Sequence, residues 1–98
     1  MEITQTAIAG TMESSDVMIT LEPGDGKIEI YLTSTVEKQF GNQIRHVIAE
    51  TLTQLGVSSA KMKVVDKGAL NCAIRARVKA AVYRGAGQTQ YSWGGGNR

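Results

Sequence analysis

The stretch VMITLEPGDGKIEIYLT, residues 17–33, carries the clearest strand pattern in the sequence. Apolar and polar residues alternate strictly along 17–22 and again along 28–33, as they do in strands that bury one face. Between these runs, Pro23-Gly24-Asp25-Gly26 breaks the alternation, because proline fixes one backbone dihedral and glycine accepts a positive φ. Two strands joined by such a turn predict an antiparallel hairpin.

The segment that follows predicts an amphipathic helix over about residues 35–55. Its start, Ser34-Thr35-Val36-Glu37, matches a capping box, in which a hydroxyl caps the first turn and a glutamate three residues later reaches back. Apolar residues then recur at spacings of three and four: Val36, Phe40, Ile44, Val47, Ile48, Leu52 and Leu55. Gly56 is expected to end the helix.

Two further elements complete the predicted fold. Residues 60–65 alternate and predict a third strand, whereas residues 70–84 fit both an alternating strand and one helical face. Their length and their alanine and arginine content favour a helix. Residues 1–10 predict only a short extended or helical lead-in. The order β-β-α-β-α indicates an α+β fold: a small two-layer sandwich in which an antiparallel hairpin and a third strand carry two helices on one face.

The composition is that of one soluble globular domain, with 98 residues of which 42% are hydrophobic. A net charge of +2 is too small to imply a nucleic-acid or membrane partner, and no apolar run approaches transmembrane length. Without a secretory leader, we expect a cytoplasmic protein. Residues 1–84 are expected to form the domain and the glycine-rich residues 85–98 a flexible tail. In that tail, Tyr91 and Trp93 are either anchors for a partner or incidental aromatics.

Groups that could carry catalysis are scarce. The only histidine, His46, is interpreted as a solvated side chain on the first helix. The single cysteine, Cys72, excludes an internal disulfide and multi-cysteine zinc sites, and is interpreted as a small buried hydrophobe. Glu13 and Asp16 are too ordinary a pair to predict a magnesium site. We therefore predict no catalytic residue and no metal, which favours a carrier, adaptor or subunit over a free-standing enzyme.

The segment Gly10-Thr11-Met12-Glu13-Ser14-Ser15-Asp16 places two adjacent hydroxyls between two carboxylates. A primary alcohol on an exposed loop suits covalent modification, because a transferase must wrap around the acceptor oxygen. A polar loop whose serines serve turn chemistry is the simpler interpretation. The residues alone leave both possibilities open.

Separated blocks at residues 9–18, 36–41 and 66–72, the last followed by 74–77, closely resemble the acyl carrier protein (gamma chain) of citrate lyase, with matching order and spacing over about the first 84 residues. The resemblance implies that Ser14, the first serine of its Glu-Ser-Ser-Asp segment, bears 2′-(5″-phosphoribosyl)-3′-dephospho-CoA through a phosphodiester. Ser15 is not expected to bear it, because the family tolerates glycine there. The tail after Arg84 departs from the family pattern.

The resemblance also implies partners and a mechanism. The attached group ends in a thiol that carries an acetyl unit; the alpha chain exchanges acetyl for citrate, and the beta chain cleaves the citryl thioester to oxaloacetate and restores the acetyl thioester. The chain itself would be a non-catalytic carrier, loaded by a prosthetic-group transferase. Glu13 and Asp16 would aid recognition by that transferase or solubility.

Three other functions stay open at this point. The chain resembles, less closely, the carrier subunit of malonate decarboxylase. It could also be a structural interaction module that is never modified. A stand-alone hydrolase that uses Ser14 or Ser15 would lack a base.

Overall fold

The computed structural model describes residues 1–87 and contains a four-stranded sheet and two helices. The elements are β1 (Ala7–Gly10), β2 (Val17–Pro23), β3 (Ile28–Ser34), α1 (Glu37–Gln54), β4 (Ala60–Asp66) and α2 (Asn71–Gly85). The α+β prediction is confirmed, and the predicted order β-β-α-β-α is present from β2 onward. The N-terminal lead-in is extended and adds β1 ahead of that order. The ambiguous segment 70–84 is a helix, as predicted.

The strand order is β1-β2-β4-β3, so the predicted antiparallel hairpin is wrong. Strand β4 lies between β2 and β3, antiparallel to β2 and parallel to β3. The chain crosses the start of β4 at residues 24–27, where the Ala60 N–H donates to the Lys27 carbonyl at 3.0 Å. A Cβ on Gly24 would collide with the backbone nitrogen of Ala60, so this crossing requires glycine. Alternation identified β2, β3 and β4, but their pairing is decided by the later β3–α1–β4 crossover.

Both helices cover one face of the sheet, and the core lies between the two layers. The inward residues of β2 and β4 are almost fully buried: Val17, Ile19, Leu21, Met62 and Val64. Helix α1 contributes Ile44, Val47, Ile48 and Leu52 from its predicted stripe, and α2 contributes Ile74, Val78, Ala81 and Val82. On the opposite face, Ile8 and Tyr31 are more than half exposed, at 53% and 52%.

The start of α1 differs from the predicted capping box. The helix begins at Glu37, its N-cap is Val36, and no side chain caps it. The Ser34 hydroxyl instead donates to Asp66 Oδ2 at 2.8 Å, and accepts the Val36 N–H at 3.1 Å. Asp66 is only 1% exposed and also accepts the Ala69 N–H at 3.0 Å. The serine is therefore drawn into a tertiary contact that links the end of β3 to the loop before α2.

Gly56 ends α1 as predicted. Its φ is 73°, its N–H donates to the Thr53 carbonyl at 3.0 Å, and the Val57 N–H donates to the Leu52 carbonyl at 2.9 Å. These two bonds form a Schellman motif, which satisfies carbonyls at the end of the helix. Leu52 and Val57 are both buried in the core, so the motif also directs the chain toward β4.

Neither helix within residues 1–87 is long and apolar enough to span a membrane. Residues 88–98, which include Tyr91 and Trp93 of the predicted tail, lie outside the described part of the chain.

Candidate functional site

The segment that joins β1 to β2, residues 11–16, lies at the end of the sheet where several elements converge. Gly10 pairs with Met18, and Val17 pairs with Asp66, the last residue of β4. Asp66 also pairs with Ser34, the last residue of β3. Because α1 begins shortly after β3 and α2 shortly after β4, the starts of both helices lie at this end as well.

Ser14 and Ser15 are the central residues of a tight turn. The Asp16 N–H donates to the Glu13 carbonyl at 3.2 Å, and Ser15 has a φ of 65°. Within residues 1–87 Ser15 is the only non-glycine residue with a positive φ. A positive φ at the third turn residue alone is the arrangement of a type II turn, which favours glycine there. The glycine tolerance of position 15 implied by the family resemblance therefore has a conformational basis.

A side-chain network based on Asp16 holds this turn. Arg77, on α2, donates from Nε to Asp16 Oδ1 at 3.2 Å and from Nη2 to Asp16 Oδ2 at 2.8 Å. The Thr11 hydroxyl donates to Oδ2 at 2.7 Å, and the Val17 N–H donates to Oδ1 at 2.7 Å. The carboxylate thus accepts four hydrogen bonds and links both ends of the turn to α2.

The charges in this network reinforce each other. The hydrogen bonds from Arg77 and then from Thr11 hold the pKa of Asp16 well below its usual range, against an opposing contribution from burial. The same hydrogen bond raises the pKa of Arg77 above its ordinary value. Both groups are therefore charged at neutral pH. Asp16 therefore also has a structural role, because its carboxylate holds the turn.

Backbone hydrogen bonds anchor the turn on its other side. The Ser15 N–H donates to the Lys67 carbonyl at 2.8 Å, and the Lys67 N–H donates to the Asp16 carbonyl at 2.9 Å. These bonds continue the β2–β4 ladder beyond its last strand pair, Val17 and Asp66. The turn is therefore fixed to the core of the sheet on one edge and to α2 on the other.

Ser14 lies at the exposed tip of this anchored turn. Its side chain is exposed, and its hydroxyl makes no hydrogen bond within residues 1–87. The Glu13 side chain is exposed too, while the Glu13 N–H donates to the Thr11 hydroxyl at 3.2 Å. The arrangement leaves a primary alcohol exposed on a turn whose backbone is held by hydrogen bonds.

The sequence also predicts the surroundings of two other side chains, those of His46 and Cys72. His46 is exposed on α1, in accordance with the interpretation of a solvated side chain. Cys72 is exposed, so its interpretation as a buried hydrophobe is wrong. It is the second residue of α2, where the helix starts at the surface and its buried stripe begins only at Ile74. Within residues 1–87, no three histidine, cysteine or carboxylate side chains are grouped so that they could hold a metal ion.

An apolar groove lies near the turn, between the start of α1 and the loop from β4 to α2. It has a volume of about 410 Å³, and its walls include Val36, Phe40, Gly68, Ala69 and Leu70. Leu70 is 73% exposed and Phe40 43% exposed, although the helical stripe predicted that Phe40 would face the core. Gly68 is adjacent to Lys67, so the groove and the turn share one connecting loop.

Sequence reasoning missed the Asp16–Arg77 contact. The two residues are 61 positions apart along the chain, and neither lies in a motif that names the other. A signal for the strained turn was available, since the glycine tolerance that the resemblance implies at position 15 is what a backbone with positive φ would favour.

Residues 4–85 match a family model described as the malonate decarboxylase delta subunit (MdcD). The citrate lyase acyl carrier protein of Streptococcus pyogenes serotype M4 is 60% identical over 94 residues, which cover 95% of this chain and 92% of the relative. That of Streptococcus uberis is 58% identical over 93 residues, again 95% and 92% of the two chains.

A solved structure has the same fold. The crystal structure of a Pseudomonas malonate decarboxylase hetero-tetramer in complex with malonate contains a chain that aligns with a TM-score of 0.70, covering 86% of this chain and 91% of that chain at 23% identity. Sequence identity of about 60% along almost the whole chain, together with the matching family model, shows that the chain belongs to the family of citrate lyase acyl carrier proteins.

Proposed function

We propose that the protein is the acyl carrier subunit of citrate lyase and that Ser14 is the residue that bears its prosthetic group. Family membership makes the chain a non-catalytic carrier. The observation that supports a serine of this turn is an exposed hydroxyl without a hydrogen bond within residues 1–87, on a turn anchored on both sides. The Ser15 side chain is exposed as well, so the choice of Ser14 over Ser15 rests on the family resemblance.

The group proposed for this site is 2′-(5″-phosphoribosyl)-3′-dephospho-CoA, attached through a phosphodiester. Ser14 suits it because its side chain is exposed and its hydroxyl makes no hydrogen bond within residues 1–87. An isolated serine hydroxyl is a weak nucleophile, so the transferase must supply the base that removes its proton. Within residues 1–87 the side chain that organises the turn, Asp16, is occupied by four donors and cannot serve as that base.

When bound, this group supplies a thiol at the end of a long arm, which carries the acetyl and citryl thioesters. The role of the chain is then to tether that thiol and to present it to the alpha and beta chains in turn. Tethering raises the effective concentration at each active site, so the carrier needs no tight binding of its own. Cys72 is exposed, but a thiol held on the first turn of α2 could not reach two separate active sites.

The partners in this proposal are the alpha and beta chains of citrate lyase in a cytoplasmic hetero-oligomer, together with the transferase that loads Ser14. A carrier of malonate decarboxylase is the alternative, supported by the description of the family model and by the fold of the Pseudomonas chain. Identity to citrate lyase carriers is about 60%, against 23% to that chain, which favours citrate lyase.

Intact mass spectrometry after co-expression with the modifying enzymes of a citrate lyase system tests this proposal. Wild-type protein should gain the mass of the prosthetic group, and peptide mapping should place it on Ser14. Ser14→Ala should fold normally and gain no mass, whereas Ser15→Ala, the matched control one residue away, should load nearly as well as wild type.

Each alternative has its own result. Loading of Ser14→Ala would contradict the assignment of the site. An unmodified wild-type chain in cells with active citrate lyase would favour the interaction module. Loaded protein that restores activity to the other subunits of malonate decarboxylase, but not to the alpha and beta chains of citrate lyase, would favour the alternative carrier.

A further inference from the structure

The turn that carries Ser14 has a backbone conformation that serine does not favour. Ser15 is held at a φ of 65°, where a residue with a Cβ loses about 1–2 kcal/mol relative to the right-handed region. A free segment of this sequence would therefore spend much of its time in other conformations. Something outside the turn must hold it.

In addition to the backbone hydrogen bonds that join the turn to the loop after β4, helix α2 supplies one such restraint through Arg77. Its guanidinium contacts both oxygens of Asp16, and the same carboxylate binds the Thr11 hydroxyl and the Val17 N–H. A two-point contact between arginine and a carboxylate restricts orientation as well as distance. Both ends of the turn are thereby fixed relative to α2, while the Ser14 hydroxyl makes no hydrogen bond within residues 1–87.

A neighbouring arginine on the same helix shows what an ordinary surface pair looks like. Arg75 and Glu50 are 3.6 Å apart, with side chains 44% and 43% exposed. Arg77 and Asp16 are 2.8 Å apart, and the Asp16 side chain is only 17% exposed. The two arginines carry equal charge on one helix, but only Arg77 contacts the turn.

We propose that Arg77 and Asp16 are positioning residues for the covalent modification of Ser14, because they hold the preceding and following backbone in the conformation that presents its hydroxyl to the transferase. The inference rests on the proposed function and adds to it how the acceptor is ordered. A transferase must align the donor phosphorus with the Ser14 oxygen, and an acceptor that is ordered in advance binds without a further loss of conformational freedom. If only a fraction of molecules has the competent turn, apparent affinity falls by that fraction.

This role acts through the backbone of Ser15, which makes it separable from direct contact with the transferase. Glycine at position 15 adopts a positive φ without the Cβ penalty. The Arg77→Gln variant should therefore regain its loading rate when Ser15→Gly is added, because the turn then needs less restraint. If Arg77 instead touched the transferase directly, a change at Ser15, the residue next to the acceptor, would not restore loading.

The test compares Arg77→Gln, the control Arg75→Gln and the double variant Arg77→Gln with Ser15→Gly, all as full-length chains. Each is co-expressed with the transferase of a citrate lyase system, and the loaded fraction is followed by intact mass at early times. Arg77→Gln should load about five- to tenfold more slowly than wild type, the range expected for loss of a partly exposed two-point ion pair. The loading rate of Arg75→Gln should stay within about twofold of the wild-type rate. The loading rate of the double variant should approach the wild-type rate as well.

A second measurement does not depend on loading. Amide hydrogen exchange of the unmodified proteins should show faster exchange at the Ser15 N–H, which donates to Lys67, in Arg77→Gln and not in Arg75→Gln. Thermal unfolding is recorded for every variant, and loading is compared at a temperature at which all are folded.

Loading of Arg77→Gln at the wild-type rate would overturn the inference and leave the proposed function intact. Slow loading that Ser15→Gly does not restore, with unchanged exchange at Ser15, would make Arg77 a direct contact of the transferase and would also overturn it. Failure of the wild-type chain to load would overturn the proposed function and the inference together.

Discussion

Gly10 is the residue at which the fold of the site is most sensitive to a single methyl group. Its φ is 95°, and a Cβ built on it would overlap the carbonyl oxygen of Val17 and lie 3.2 Å from the Cα of Met18. Gly68 has nearly the same φ, 92°, but a Cβ there would meet nothing within 4 Å. The pair Gly10→Ala and Gly68→Ala therefore separates backbone strain from steric overlap.

Both variants share the cost of a side chain at positive φ, about 1–2 kcal/mol. Alanine recovers a part of this, about 0.4–1 kcal/mol, by restricting the unfolded chain. Gly68→Ala should thus lower the free energy of unfolding by about 1 kcal/mol, which is about 4–8 °C in Tm for a domain of this size. Gly10→Ala must also move β1 away from β2 where Gly10 pairs with Met18. That displacement should raise the total loss to about 3 kcal/mol or more.

Thermal and urea unfolding, followed by circular dichroism in one buffer, measure both losses. The expected result is a Tm for Gly10→Ala at least about 10 °C below that of Gly68→Ala. Equal decreases in the free energy of unfolding would contradict this prediction, because they would mean that β1 shifts without cost and does not fix the start of the turn. A Gly68→Ala variant as stable as the wild type would mean instead that a positive φ costs alanine little at this position.

Three further predictions concern single side chains. Because folding lowers the pKa of Asp16, its ion pair stabilises the protein fully above the unfolded pKa of about 3.9, and this stabilisation is lost as the pH falls below that value. Asp16→Asn should therefore lower the free energy of unfolding in urea by about 1–2 kcal/mol at pH 7, and by less below about pH 4. A loss that does not change with pH would contradict this. Ser34→Ala should cost about 1–3 kcal/mol because it removes a donor from the buried Asp66, whereas the exposed control Thr35→Ala should stay within about 0.5 kcal/mol; similar losses would count against the buried contact. Cys72 is exposed, so an aromatic disulfide reagent should modify it in the folded protein at a rate comparable to that in urea, and protection until unfolding would disprove the exposure.

Local patterns predicted the elements well because each depends on its own residues. The alternation at 17–22 and 28–33, and the apolar stripe of α1, reflect one buried face per element, and any partner layer would satisfy them. Gly56 also acted as predicted, since a positive φ after a helix is a local need. The ambiguous segment 70–84 was decided correctly by length and composition.

Contacts between distant residues were not predictable in the same way. The hairpin between β2 and β3 failed because a turn does not specify which strands hydrogen-bond, and β4 arrives between them only after α1. The capping box failed because Ser34 forms a tertiary hydrogen bond to Asp66 instead. Cys72 was misplaced because the apolar run around it begins before the buried face of α2 does.

From the sequence alone follow the fold class and the position of each helix and strand from β2 onward, and the resemblance to a family supplies the proposal that Ser14 is the modified residue. The strand order and the restraint on the Ser14 turn, in which Arg77 binds Asp16 from 61 positions away, become visible only in the folded protein. The difference lies in the range of the forces involved. Periodicity and turn chemistry act among residues close in the chain, whereas strand pairing and the Asp16–Arg77 ion pair exist only after packing has brought distant segments together.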